Sequence, residues 1–286
     1  MQDSNQVAGL KNAARLREQA ASRAPTETGA EEMTVTVDPE QNEIGALLDF
    51  VNLDGRRVLE IGSGSGRLTW RYADRAAHVT AVEPFAAAVA HAEDNLPPEL
   101  VRRVVLRRAG FGEFAAETAS STFDVVIFSW SLCCMEQGDM VPALQEAHRL
   151  LGRDGTVIDI HPVPGTAEIE VHRAGQVVFA EPASTSDGEG ERQADEALAT
   201  VVARGLFVAE RCSEFDVRVY ASSLRELREF LAEADAHARQ EGTETSDASE
   251  SALYEQVERM MTSGATGTEV AYHERARITR LSPVVA

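Results

Sequence analysis

The chain has 286 residues, 43% of them hydrophobic, and a formal net charge of −20. That composition supports a large buried core and excludes a disordered chain. The charge repels phosphate backbones and anionic bilayers, so neither a nucleic acid nor a membrane is the expected partner. No run reaches the roughly 18–20 apolar residues of a membrane span, and the opening Met1-Gln2-Asp3-Ser4-Asn5-Gln6 lacks the apolar centre of a signal peptide. Cys133, Cys134 and Cys212 are odd in number and form no CxxC pair. Neither a disulfide framework nor a metal site is expected, and a reduced cytoplasm is the expected location.

In chain order, residues 7–22 carry a weak apolar stripe (Val7, Leu10, Ala14) and read as a short helix. Pro25 and Gly29 mark the linker that follows, making residues 1–33 a peripheral segment. Asp38-Pro39-Glu40 reads as a helix start, with Ile44, Leu47, Leu48 and Val51 at helical spacing. Arg57 to Ile61 is a strand ending in a glycine loop, and Leu68 to Ala76 is a helix. Val79 to Val82, Val104 to Arg107, Asp124 to Ser129 and Thr156 to Ile160 are further strands, with helices at Ala86 to Asn95 and Pro142 to Leu151. The run between Asp124 and Ser129 is wholly apolar, as in a strand buried on both faces. This alternation predicts an α/β fold with a doubly wound, mainly parallel sheet over residues 34–164. Beyond Pro164 the rhythm changes. A hairpin (Ala167 to Val171, Gln176 to Phe179), helices at Ala194 to Arg204, Ser223 to Ala234 and 251–262, and strands at Phe207 to Tyr220 and 269–280 are predicted. Residues 165–286 are therefore expected to cover a substrate and complete the same domain.

Ligands of an open parallel sheet bind beyond the carboxyl ends of its strands. Gly62, Gly64 and Gly66 lie there. The dinucleotide fingerprint GxGxxG would need glycine at Arg67 or Thr69, so the spacing argues against a nicotinamide cofactor. The loop also begins on an acid, Glu60, which suits a cationic ligand better than a pyrophosphate.

The run Val58-Leu59-Glu60-Ile61-Gly62-Ser63-Gly64-Ser65-Gly66-Arg67-Leu68-Thr69 resembles the first motif of class I S-adenosylmethionine (SAM)-dependent methyltransferases. Val79-Thr80-Ala81-Val82-Glu83-Pro84 resembles that family's second strand, and Phe123 to Ser129 its fourth. The resemblance covers roughly residues 38–164. It implies a Rossmann-like, seven-stranded sheet with one antiparallel strand, with the late strands supplying the last two. It also implies SAM as cofactor, with Glu60, Gly62, Ser63, Gly64 and Gly66 at the loop and Glu83 with Pro84 at the ribose. Gly110 stands where many members carry an acid for the adenine amino group, leaving Phe111 to offer an amide or ring face. Ser129 and Trp130 fall at the methionine part of SAM. Glu113 is a substitute acid of uncertain register.

His161 is the best general-base candidate, because it ends the fifth strand and neutral imidazole titrates near working pH. A hydrogen-bonded structural histidine is the competing reading. His148 reads as structural and His91 as solvated; Tyr220 and Tyr272 are remote candidates, and Cys133 and Cys134 read as small packing residues. The expected activity is methyl transfer by direct displacement to a small-molecule acceptor, from a monomer or homodimer. A fold-retaining module without catalysis, or less readily a nicotinamide-dependent oxidoreductase, stand as alternatives.

Overall fold

The structure, a computed structural model, describes residues 35–183, 188–238, 248–262 and 267–284. The helix expected at 7–22 and its linker lie outside the described residues, as do parts of the polar loops expected near 184–191 and 240–250.

The chain divides into two compact units. The larger takes Gln41–Val163, Gly188–Phe215 and Ala276–Ala286. It begins with helix α1 (Asn42–Phe50), then alternates strands and helices: β2 (Arg57–Ile61), α2 (Thr69–Tyr72), β3 (His78–Glu83), α3 (Ala86–Asp94), β4 (Val104–Arg108), α4 (Phe111–Glu117), β5 (Phe123–Ser129), α5 (Gln137–Leu150) and β6 (Leu151–Pro162). After an excursion through the smaller unit it continues with α6 (Glu189–Ala203) and parts of β9 (Phe207–Ala221) and β10 (Thr268–Pro283). Its sheet runs β9-β10-β6-β5-β2-β3-β4. Strands β2 to β6 pair in parallel, and β10 lies antiparallel to β6, with Ile278 opposite Ile160. The expected seven-stranded, mainly parallel fold is the observed one.

The central strands are apolar on both faces because helices cover both. Leu59, Val126, Phe128 and Val157 share one core with Met140, Leu144 and Leu150 of α5 and Ala194, Leu198 and Val201 of α6. Helix α5 starts at Gln137, ahead of the position read from Pro142. Proline disfavours helix in the residue before it, but burying Met140 completely outweighs that preference. Likewise α1 starts at Asn42 instead of near Asp38. The Asp38 backbone is left-handed (φ 48°), and its amide donates to the Arg218 carbonyl, 2.8 Å away. Helix α4 escaped the sequence reading because Gly112 interrupts its pattern; Gly110 starts it. His91 is buried against Asn95 (6% exposed), not solvated as expected.

The smaller unit holds β1 (Thr36–Val37), β7 (Glu168–Arg173), β8 (Gln176–Pro182), the remaining parts of β9 and β10, and helices α7 (Leu224–Ala238) and α8 (Ala248–Thr262). Strands β7 and β8 form the predicted hairpin, and β7 pairs antiparallel with β10. Alternation divides β7 cleanly. Ile169 and Val171 join Val219, Val270, Tyr272, Leu227 and Val257 in a separate core, while Glu168, Glu170 and His172 take the opposite face. Tyr220 donates from its hydroxyl to Glu40 at 2.7 Å.

Leu59 is wholly buried in the middle of β2, between β3 and β5. Leu59→Ala is expected to destabilise the larger unit by ~2–5 kcal/mol. Urea unfolding followed by tryptophan fluorescence measures this, because Trp70 and Trp130 both lie in that unit.

Candidate functional site

Strands β2, β3, β4 and β5 are parallel neighbours, so their carboxyl ends share one edge of the sheet. That edge brings together the loop from Gly62 to Gly66, Glu83 with Pro84, Gly110 with Phe111, and Ser129 with Trp130. The loop doubles back on β3: the amides of Gly62 and Ser63 both donate to the Val82 carbonyl, at 2.8 and 3.2 Å. Two of its glycines are required by shape. Gly62 has φ 72°, and a Cβ there would lie 2.5 Å from the Ser131 Cβ; at Gly66 (φ 86°) a Cβ would lie 2.1 Å from the Trp70 indole.

Glu83 is 5% exposed, and two amides hold its carboxylate at the loop. Gly64 donates to Oε2 at 2.9 Å and Phe85 to Oε1 at 3.0 Å. Pro84 is exposed beside it. Ser63 and Ser131 flank Gly62 with buried hydroxyls that have no hydrogen-bond partner among the described residues. Buried hydroxyls without protein partners are uncommon and are completed by water or by a polar ligand group.

Glu60, read from the sequence as either a ligand contact or a support of the loop, has the surroundings of a support. It is 2% exposed, and its Oε2 accepts from the Thr69 hydroxyl at 2.6 Å and the Tyr72 hydroxyl at 2.7 Å. It ties β2 to α2 and so supports the loop from beneath. Burial pushes its carboxyl up to about 7, against the two hydroxyls that lower it.

Sequence reasoning missed Glu43 and Arg67 as a pair. Glu43 of α1 is completely buried. Its Oε1 accepts from the Ser129 hydroxyl (2.7 Å) and the Trp130 indole (2.9 Å), and its Oε2 pairs with the Arg67 guanidinium. Burial alone would raise this carboxyl; Arg67 and the two donors outweigh it and hold it below its ordinary value. Trp130 meets this network with a left-handed backbone (φ 56°), unusual for a bulky residue. The end of β5 is thus pinned through Glu43 to the residue that follows the glycine loop. The only sequence signal was an acid on the apolar side of a helix.

Phe111 packs its ring edge-on against Phe128, centroids 6.0 Å apart, at the first turn of α4. Glu113 lies exposed on that helix. Cys133 is partly buried, and its thiol is pushed well up by Cys134 and by burial, which disfavours the thiolate.

His161 lies apart from solvent at the end of β6. It is completely buried, with Nδ1 2.6 Å from Asp159 Oδ2 and Nε2 3.4 Å from Asp195 Oδ1. Burial lowers its affinity for protons, but the two carboxylates outweigh burial and raise it to about 10. Complete burial between two carboxylates is the environment of the hydrogen-bonded structural histidine that the sequence left as the competing reading. Asp195 continues to Arg277 (2.6 Å), and Arg277 to Glu214 (3.2 Å), making an ionic chain that joins β6, α6, β10 and β9. His148 is structural as expected, edge-on to Phe207.

A seven-stranded sheet of this order, with an alternating glycine loop after its first parallel strand, defines the Rossmann-like class I methyltransferase fold. Residues 58–155 match the family model described as a methyltransferase domain. The YcgJ protein from Bacillus subtilis shares the fold at 12% identity and a TM-score of 0.52, covering 85% of this chain and 98% of that one. A putative methyltransferase from Bacillus halodurans does so at 11% and 0.52, over 84% and 98%. The [4+2]-cyclase SpnF does so at 21% and 0.52, over 98% and 93%. Nothing among curated proteins matches the chain. Residues 58–155 are therefore a methyltransferase domain, carried on the class I fold.

Glu60 generates a prediction. Above the usual 4.5 the unfolded carboxyl ionises, while the folded one keeps its proton until about pH 7. The folded state then binds more protons, so stability falls as pH rises through that window. Between pH 5 and 7.5 the wild type is expected to lose up to roughly 3 kcal/mol relative to Glu60→Gln. Urea midpoints of both proteins at the two pH values measure this; parallel curves would exclude it.

Proposed function

We propose that this methyltransferase acts on a small-molecule acceptor, by direct displacement, without a dedicated general base. The contact that carries the cofactor part of this reading is Glu83 on the Gly64 amide. It ties the acid ending β3 to the glycine loop after β2. Glu83 with Pro84 would hold the ribose, the loop with the Ser63 and Ser131 hydroxyls the methionine part, and the Gly110–Phe111 turn the adenine. When bound, SAM supplies a methyl group already activated by the sulfonium charge. The protein's work is then alignment and water exclusion. The pair of Glu43 and Arg67 suits that work, because it fixes the ends of α1, β5 and the loop against one another. His161 is buried in its own carboxylate pair, which supports a mechanism that needs no imidazole base. A net charge of −20 favours a small or cationic acceptor over a polyanion.

A second reading keeps the cofactor but not methyl transfer. SpnF is described as a [4+2]-cyclase, and this chain shares its fold across nearly the whole of both chains. Under that reading SAM binds and no labelled product forms.

Two measurements test these readings. Calorimetric titration with SAM and S-adenosylhomocysteine should show binding that Glu83→Ala weakens at least about tenfold, the loss of roughly 1.5 kcal/mol of charge-assisted hydrogen bonding. Absence of binding by the folded wild type sinks the cofactor assignment for this chain. Incubation with methyl-labelled SAM and a metabolite extract should label a small molecule; binding without any labelled product favours the second reading.

A further inference from the structure

The polar face of the smaller unit's sheet carries side chains that the cofactor site does not use. Antiparallel pairing sets His273 of β10 directly opposite Glu168 of β7, with Glu170 on the same face of β7. One donor atom from each of these three side chains lies within 4.8 Å of the other two. His273 Nδ1 is 3.1 Å from Glu170 Oε1 and 3.5 Å from Glu168 Oε2. Around a tetrahedral Zn²⁺ with bonds of about 2.0–2.1 Å, neighbouring donor atoms lie roughly 3.3 Å apart. The two distances from His273 Nδ1 are those of ligands sharing one ion.

The surroundings orient each group. His273 Nε2 lies 3.0 Å from Asp216 Oδ1, which places the ring hydrogen on Nε2 and leaves the Nδ1 lone pair facing Glu168 and Glu170. Nδ1 is buried and makes no hydrogen bond among the described residues. A lone pair aimed at two carboxylates is repulsive unless a positive charge stands between them. Glu170 is fixed through Oε2 by His172 Nε2 at 2.7 Å and Arg218 Nε at 2.9 Å, while Oε1 faces His273 and takes only a long contact, 3.5 Å, from Arg218 Nη2. A carboxylate behind a ligating histidine, and donors behind a ligating carboxylate, are the usual outer partners of a metal site. With His273 neutral, three carboxylates (Glu168, Glu170, Asp216) face one guanidinium (Arg218), a deficit that a divalent ion matches and that a proton on His273 would meet only in part. The Glu168 side chain is 41% exposed, giving the ion a path from solvent and room for water ligands.

We propose that Glu168, Glu170 and His273 form a binding site for a first-row divalent cation, with Asp216, His172 and Arg218 orienting the ligands. One imidazole and two carboxylates suit Zn²⁺ or Mn²⁺. The competing occupant is a proton on Nδ1, making His273 an imidazolium clamp.

The test uses the full-length protein, stripped by chelation, with Zn²⁺ and Mn²⁺ as probes. Zn²⁺ titration should give one equivalent per chain, and Mn²⁺ should enhance water-proton relaxation, a readout biased against thiols. Glu168→Gln, on the half-exposed side chain, and His273→Gln should each weaken binding at least tenfold. Asp216→Asn should weaken it about 10–100-fold, as loss of an outer partner does. Circular dichroism checks that each variant folds. No binding to the wild type overturns the site, as does binding unaffected by Glu168→Gln and His273→Gln. Zn²⁺ binding that disappears only when Cys133, Cys134 and Cys212 become serine overturns it as well.

Discussion

The larger unit depends on one buried charge. Glu43 brings an ionised carboxylate into a site with no access to water, where an unpaired charge costs several kcal/mol. Arg67, Ser129 and Trp130 neutralise it, and they come from different parts of the chain: the residue after the glycine loop and the end of β5. The charge can be tolerated only when α1, β5 and the loop stand in one arrangement. That requirement converts an electrostatic cost into positional precision at the sheet edge that carries the glycine loop. The left-handed backbone of Trp130 belongs to the same constraint, since its indole must reach Glu43 while its amide donates to Ile160.

Glu60 and Glu83 show two other solutions to the same problem. Glu60 meets only hydroxyl donors on its Oε2, and burial keeps its proton on to about pH 7. Glu83 meets backbone amides from both sides of the turn. One acid therefore braces the loop from beneath, and the other ties the end of β3 to it through the backbone. Residue type alone does not separate these roles; the donors do.

This explains what the sequence made legible. The parallel strands were readable because a strand covered on both faces is apolar throughout, as Val125 to Phe128 is. The glycine loop was readable because Gly62 and Gly66 are forced by close approach, and such positions tolerate nothing else. Element ends were less readable: Met140 extends α5 ahead of Pro142, and Asp38 ends β1 instead of opening a helix. Side-chain partnerships were hidden. His161 looked like a base at a strand end, because Asp195, which seals it, lies on a helix beyond an excursion of the chain. The cluster of Glu168, Glu170 and His273 was hidden for the same reason, its ligands being joined only by the register of β7 on β10.

The chain's acidity thus has two separate physical consequences. Across the surface, 47 acids against 27 bases set a field that turns polyanions away and shields no single residue. In the interior, each acid is tied to specific donors, and its role follows from what those donors are: a guanidinium at Glu43, hydroxyls at Glu60, amides at Glu83, imidazolium at Asp159. Raising ionic strength screens the first and scarcely touches the second, because buried pairs lie beyond the reach of mobile ions. The surface field and the buried network therefore rest on different electrostatics within one fold, and salt separates them.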